Sequence, residues 1–344
     1  MSADRSRLES RLTGIWSRRG PAACALLPLS LLFGLLARLR RGLFAAGLLR
    51  SERMPVPVVV VGNIFIGGTG KTPLTIWLVE ALRRHGYTPG VISRGYGSAA
   101  DAPVEVDAVT PPSAAGDEPV LIAQRTGAPV VVARRRADAA RRLLQMHPGV
   151  DVIVSDDGLQ HYALRRDVEI VLFDSRGTGN GWLLPAGPLR EPASRHRDAT
   201  VVNGEALPPG VAEPAWRMIL AGGEAQRLAS PDERLPLGAF AGGARGRIAA
   251  AAGIGNPARF FAMLRAAGLA FEALPLPDHF DFSGDPFAGI RADVILITEK
   301  DAVKCRLIES LNNDPRLWVV PVTARIDDAL ARRIVEKLRG YATA

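Results

Sequence analysis

Lys71 and Thr72 close the stretch VVVVGNIFIGGTGKT, which begins at Val58. Its end fits the Walker A pattern G-x4-G-K-[ST], except that Phe65 stands where the first glycine belongs and Gly67 and Gly68 come two and three residues later. Glycines let backbone N–H groups face phosphate oxygens, and a helix N-terminus beyond them adds positive potential. Lys71 would then pair with β- and γ-phosphate oxygens, and Thr72 would bind Mg²⁺. The plainer alternative is an ordinary glycine-rich turn between strand and helix.

Several carboxylates could serve such a loop. Asp156 and Asp157 end the apolar run VDVIVSDDG. A metal-holding acid belongs there, although Asp-Gly is also a frequent turn pair. Asp117 and Glu118 in AGDEPVLIAQ either complement a helix N-terminus or face a cleft. Arg190 and Glu191 lie in the rigid stretch LPAGPLREP, as phosphate and metal ligands or as a surface ion pair. His279 stands between Asp278 and Asp281 in LPDHFDFS. Glu299, Lys300, Asp301 and Lys304 of ITEKDAVKC line a cleft or solvate a turn and helix start.

These residues need a scaffold that brings strand ends together. Val56–Asn63 reads as a buried strand and Lys71–Gly86 as an amphipathic helix ending at glycine. More β-branched runs alternate with helical segments up to about residue 206, which predicts an α/β fold with a parallel sheet covered on both faces. Pro- and Gly-rich sequence over 207–244 reads as a connector. A second, smaller α/β lobe is expected over 245–344.

Residues 1–53 form a separate arm. They carry ten arginines against three acids, so +7 of the net charge of +8 lies there. A nucleic-acid enzyme would instead spread a basic stripe over its folded domain. The arm holds an uncharged run, Pro21–Ala37, with Arg18 and Arg19 before it and Arg38, Arg40 and Arg41 after it. Arginines directly after the run disfavour a cleaved signal peptide. A core helix is one reading; a helix that spans a membrane or lies in its interface is the favoured one. Cys24 and Cys305 offer no disulfide framework, and the five histidines have no zinc spacing, so a reducing compartment fits.

The motifs VGNIFIGGTGKTP, SRGYG, GDEP, SDDGLQH, LPAGPLREP, GIGNPARFF, PDHFDF and TEKDAVK occur in an order that resembles the tetraacyldisaccharide 4′-kinase family of lipid A biosynthesis over nearly the whole chain. The resemblance implies a P-loop NTPase-like kinase lobe over 54–206, a smaller second lobe and a membrane-associated arm. It implies transfer of phosphate from ATP, with Mg²⁺, to the 4′-hydroxyl of a tetraacyldisaccharide 1-phosphate, forming lipid IVA. It implies work at the cytoplasmic face of the inner membrane, with no nucleic-acid partner and no obligate protein partner. Phe65, Ile66, Gly67, Gly68, Thr69, Gly70, Lys71 and Thr72 would form the ATP loop, and Tyr96 would face nucleotide or substrate. Thr72, Asp156, Asp157 and Glu191 would serve the metal. Asp117 and His279 would remove the proton from the sugar hydroxyl. Arg134–Arg136 include a candidate contact to substrate phosphate. Rival classes are a membrane-bound P-loop ATPase that switches without phosphorylating a small molecule, and a non-enzymatic lipid-binding protein.

Overall fold

The computed structural model describes residues 14–95, 102–243 and 245–340. Its centre is β1 (Val58–Gly62), whose every residue is buried. Val59 and Val61 enter the core on one face of the sheet, and Val58 and Val60 enter the core on the other. This two-sided burial is why the strand reads as a continuous apolar run without alternation.

Around β1 lies a nine-stranded sheet in the order β15-β8-β7-β6-β1-β5-β2-β4-β3. Its strands are β2 (Pro89–Ser93), β3 (Val104–Val106), β4 (Val130–Val132), β5 (Val152–Asp156), β6 (Val168–Asp174), β7 (Ala199–Asn203), β8 (Trp216–Ala221) and β15 (Thr323–Ile326). The seven inner strands run parallel, and β3 and β15 close the edges antiparallel, so the sheet is mixed. Helices α2 (Lys71–Arg84), α3 (Asp117–Thr126) and α7 (Ala329–Arg339) pack on one face. Helix α4 (Arg136–Met146) covers the other. Crevices in such sheets open at the carboxyl ends of the strands, where the chain after β1 and after β5 emerges.

A second sheet has the order β10-β9-β14-β13-β11-β12. It comprises β9 (Glu224–Arg227), β10 (Arg234–Pro236), β11 (Ile248–Ala252), β12 (Glu272–Pro275), β13 (Val294–Thr298) and β14 (Leu317–Val320), with α5 (Pro257–Ala266) and α6 (Glu299–Cys305). The lobes differ in extent from the sequence expectation. Within 207–244, β8 joins the large sheet while β9 and β10 join the small one. Near the C-terminus, β15 and α7 return to the first lobe. Local periodicity reports that a segment is a strand but not which sheet receives it, and the Pro and Gly of this region mask the pairing.

The arm supplies α1 (Leu27–Ala45), with proline in its first turn. Its buried residues are Ser30 and Gly34, one turn apart, while Leu29, Leu31, Leu32, Leu35, Leu36 and Leu39 are exposed. The Ser30 hydroxyl donates to the Leu183 carbonyl at 2.7 Å, and a Cβ at position 34 would come within 2.8 Å of the Leu183 side chain. Among the described residues no helix is long and apolar enough to cross a membrane. Arg38, Arg40 and Arg41 interrupt the apolar run within α1 itself.

Candidate active site

The phosphate loop leaves β1 at Gly62. Asn63 is fully buried, and its amide donates to the Phe65 carbonyl (2.6 Å) and the Gly67 carbonyl (3.2 Å). Its side-chain oxygen accepts from Lys71 Nζ at 3.4 Å. Gly67 (φ 94°) and Gly70 (φ 98°) take left-handed conformations that favour glycine. Gly70 then caps α2 directly before Lys71 and Thr72. Phe65 is buried, with the Arg176 guanidinium 4.4 Å from its ring centre. The Ile66 N–H donates to the Pro188 carbonyl at 3.0 Å. Phe65, bridged to Leu189, and Ile66 therefore fasten the start of the loop to the 183–190 segment.

Asp156 and Asp157 follow β5 beside this turn. Thr75 donates to Asp156 Oδ1 at 2.9 Å, whereas Asp156 Oδ2 is buried without a hydrogen-bond partner. Burial first, and then the charges of Glu118 and Asp157, push the Asp156 carboxyl upward. Lys71 Nζ lies 3.7 Å from Asp157 Oδ1, and Arg190 lies 3.9 Å from Asp157 Oδ2. A crowded pair of acids with an orphaned oxygen, next to a threonine at a helix start, fits a hard divalent cation. Among the described residues no group of three or more acidic, histidine or cysteine side chains forms a complete metal cage. Mg²⁺ needs none, since it usually takes one or two carboxylates and fills its shell with phosphate and water oxygens.

Glu191 does not join this pair. Its Oε1 accepts from Gln160 (2.7 Å) and Arg195 (2.9 Å), and its Oε2 accepts from Tyr162 (2.7 Å). With both oxygens engaged, it ties the segment after β5 to the loop before β7. Arg136 is likewise turned inward, donating to the Asp156 carbonyl at 3.0 Å from behind, while Arg134 and Arg135 remain exposed. Tyr96 lies outside the described residues.

Asp117 and His279, 162 positions apart, meet across the lobes. His279 Nδ1 lies 3.1 and 3.0 Å from the two Asp117 oxygens. With Nδ1–H donating to the carboxylate, Nε2 is the ring atom that can accept a proton. Asp117 starts α3, and its carboxylate also accepts from Lys304 at 3.1 Å. Burial would raise its pKa, but His279, Lys300 and Lys304 outweigh burial and hold it well below the carboxylate range. The hydrogen bond to Asp117 raises His279 above its ordinary value, against burial and the charge of Lys300. His279 has a left-handed φ of 57°, a strained conformation for a residue with a Cβ, and its N–H donates to the Gly253 carbonyl at 3.2 Å.

That second contact sets the pair near the phosphate loop. The Gly253–Asn256 segment presses Gly255 onto Gly68 so closely that a Cβ on Gly255 would lie 2.6 Å from the Gly68 nitrogen. Around the outside of the loop, Asn203 donates to the Thr69 carbonyl at 2.9 Å and Arg176 to the Gly68 carbonyl at 3.0 Å. Arg259, from the second lobe, reaches the Thr69 carbonyl at 3.3 Å and Asp174 at 3.2 Å. Sequence reasoning assigned none of Asn63, Asn203 or Arg259 a role. Their only local signal is a polar residue at a strand end or within the GIGNPARFF motif. A cavity of about 400 Å³ opens from Gly68–Thr72 between the lobes, with Ile76, Met218, Phe260 and Val322 among its apolar walls.

Known proteins resemble the chain throughout. Residues 22–339 match the family described as LpxK, tetraacyldisaccharide-1-P 4′-kinase. The chain is 62% identical to a tetraacyldisaccharide 4′-kinase of Janthinobacterium sp. (strain Marseille), with all of both chains covered. It is 59% identical to that of Herminiimonas arsenicoxydans, with 100% of this chain and 99% of that one covered. The crystal structure of LpxK from Aquifex aeolicus in complex with ATP superposes with a TM-score of 0.76 at 27% identity, covering 92% of this chain and 99% of the other. With profile, full-length identity and fold in agreement, the chain belongs to the tetraacyldisaccharide 4′-kinase family.

Proposed function

We propose that the protein moves the γ-phosphoryl group of ATP onto the 4′-hydroxyl of a tetraacyldisaccharide 1-phosphate, giving lipid IVA, with Asp117 and His279 as the proton-accepting pair. The observation that carries the assignment is the contact of His279 Nδ1 with the Asp117 carboxylate across the lobes, next to the loop that Gly255 covers.

Lys71 and the loop N–H groups hold the β- and γ-phosphates, and Asn63 presets the ammonium. Thr72, Asp156 and Asp157 are the residues that would hold Mg²⁺. When bound, the ion would neutralise negative charge on the triphosphate. The adenosine occupies the apolar cavity next to Thr72 and Ile76. The acceptor hydroxyl gives its proton to His279 Nε2 as the new O–P bond forms, and the bond from γ-phosphorus to ADP breaks in line. The base comes from one lobe and its orienting acid from the other, so lobe closure would complete the site and exclude water.

The acceptor's four acyl chains keep it in a bilayer, at about 0.8 kcal/mol for each buried CH₂. The outward leucines of α1 and the arginines around them support attachment to an anionic membrane surface. The attachment belongs on the cytoplasmic face, where ATP is supplied.

The test is transfer of ³²P from γ-labelled ATP to the glycolipid in mixed micelles. Label should appear in the lipid, and His279→Ala should lower kcat roughly 10²–10⁴-fold. Label released only as inorganic phosphate would identify an ATPase instead. A His279→Ala rate within about twofold of wild type, read through rate ratios, would remove histidine from the reaction.

A further inference from the structure

We propose that Lys304 is a positioning residue of the transfer site, its ammonium sharing the Asp117 carboxylate so that His279 offers an unprotonated Nε2 to the acceptor hydroxyl. The inference rests on the reading of His279 as the base.

The motif TEKDAVK builds this arrangement. Thr298 caps α6 by accepting from the Asp301 N–H at 3.2 Å, which fixes the helix start at Glu299. Lys300 and Lys304 are then i and i+4, on one face of the helix. That face looks across the lobe boundary at the start of α3. Lys304 Nζ reaches Asp117 Oδ2 at 3.1 Å, with its side chain 11% exposed and its ammonium 5.6 Å from the centre of the Phe282 ring. Lys300 is shared among three acids: Glu118 at 3.0 Å, Asp278 at 3.4 Å and Asp117 at 4.0 Å.

The charged groups around His279 come from three segments. Asp117 and Glu118 lie on α3, Lys300 and Lys304 on α6, and Asp278 and Asp281 on the histidine's own loop. Asp278 is 3.9 Å from Nε2, and Asp281 is hydrogen-bonded to Ser283. A buried carboxylate facing an imidazole alone would draw a proton onto the ring, and a charged ring cannot accept another. Lys304 counters this by dispersing the Asp117 charge, while the neighbouring Lys300 adds a positive charge that opposes the imidazolium. Asp117 meanwhile stays ionised and keeps Nδ1–H oriented. A lysine acting only as an interlobe strut would affect closure equally at every pH.

The experiment is the pH dependence of kcat/KM for Lys304→Met and Lys304→Arg, with an NMR titration of the His279 ring in the same variants. Lys304→Met should move the acid limb upward by about one pH unit, a tenfold loss below the limb that disappears above it. The His279 titration should move the same way, and Lys304→Arg should keep the wild-type limb. A loss of equal factor at all pH values, or a His279 titration unmoved in Lys304→Met, overturns the proposal. The NMR result stands even where Lys304→Met turns over too slowly to profile. His279→Asn separates the two readings: an acid limb that survives in that variant shows that His279 is not the base.

Discussion

Asp156 is held in a setting that disfavours its charge, since one of its oxygens is buried without a partner and two other acids lie nearby. A carboxyl raised by folding binds a proton more readily in the native state than in the unfolded chain. Its ionisation therefore subtracts stability as pH climbs from the unfolded value through the raised one. In EDTA at pH 8, Asp156→Asn should keep the melting temperature or raise it by about 2–4 °C, while Mg²⁺·ADP should no longer stabilise the variant. A melting temperature that still rises with Mg²⁺·ADP as in wild type would show that the cation is held elsewhere. At this scale, legibility followed sequence distance. Lys71, Thr72, Asp156 and Asp157 sit at the ends of readable strands, so spacing was enough to nominate them. The pairing of Asp117 with His279 joins distant positions and came only through family resemblance. The partners of Glu191 were illegible for the same reason: its neighbours in sequence say nothing of Gln160, Tyr162 and Arg195, which bond to it.

Helix α1 turns its small residues toward the protein and its leucines outward, the reverse of an ordinary surface helix. Six exposed leucines on one helix mark a binding surface more than a packing accident. Leu32→Glu with Leu35→Glu should cut co-sedimentation with anionic vesicles at least tenfold and leave transfer to a detergent-dispersed acceptor within about threefold, since neither residue touches the phosphate loop. Undiminished sedimentation would end the idea that this face carries the attachment. The sequence made the apolar run and its flanking arginines plain. It could not say which side of the helix meets the body, because the contact with Leu183 that decides this is tertiary.

Across the whole molecule, the chain passes between the two sheets at Gly222–Gly223 and again at Pro321–Val322, so the smaller lobe is an excursion from the larger one. Arg125 of α3 clasps Glu299 at the start of α6, and Glu299 accepts the Val322 N–H at 3.0 Å, next to the second passage. The α/β class and the parallel heart of the first sheet were legible, because buried parallel strands announce themselves as unbroken apolar runs. The return of β15 was not, since an edge strand with one exposed face carries little local signal. A chain stopped after Pro321 should lose cooperative unfolding of the first lobe, seen as a broadened melt, because Leu330, Ile334 and Leu338 of α7 leave its core. A sharp, wild-type-like melt would contradict that. The same return has a bearing on biogenesis. A strand that completes the first lobe is made only after every strand of the second, so that lobe must wait, with β8 unpaired on one side, until Thr323–Ile326 has emerged from the ribosome. Throughout that interval the nascent chain exposes an edge open to mispairing, and any pause while the second lobe is being made would prolong it.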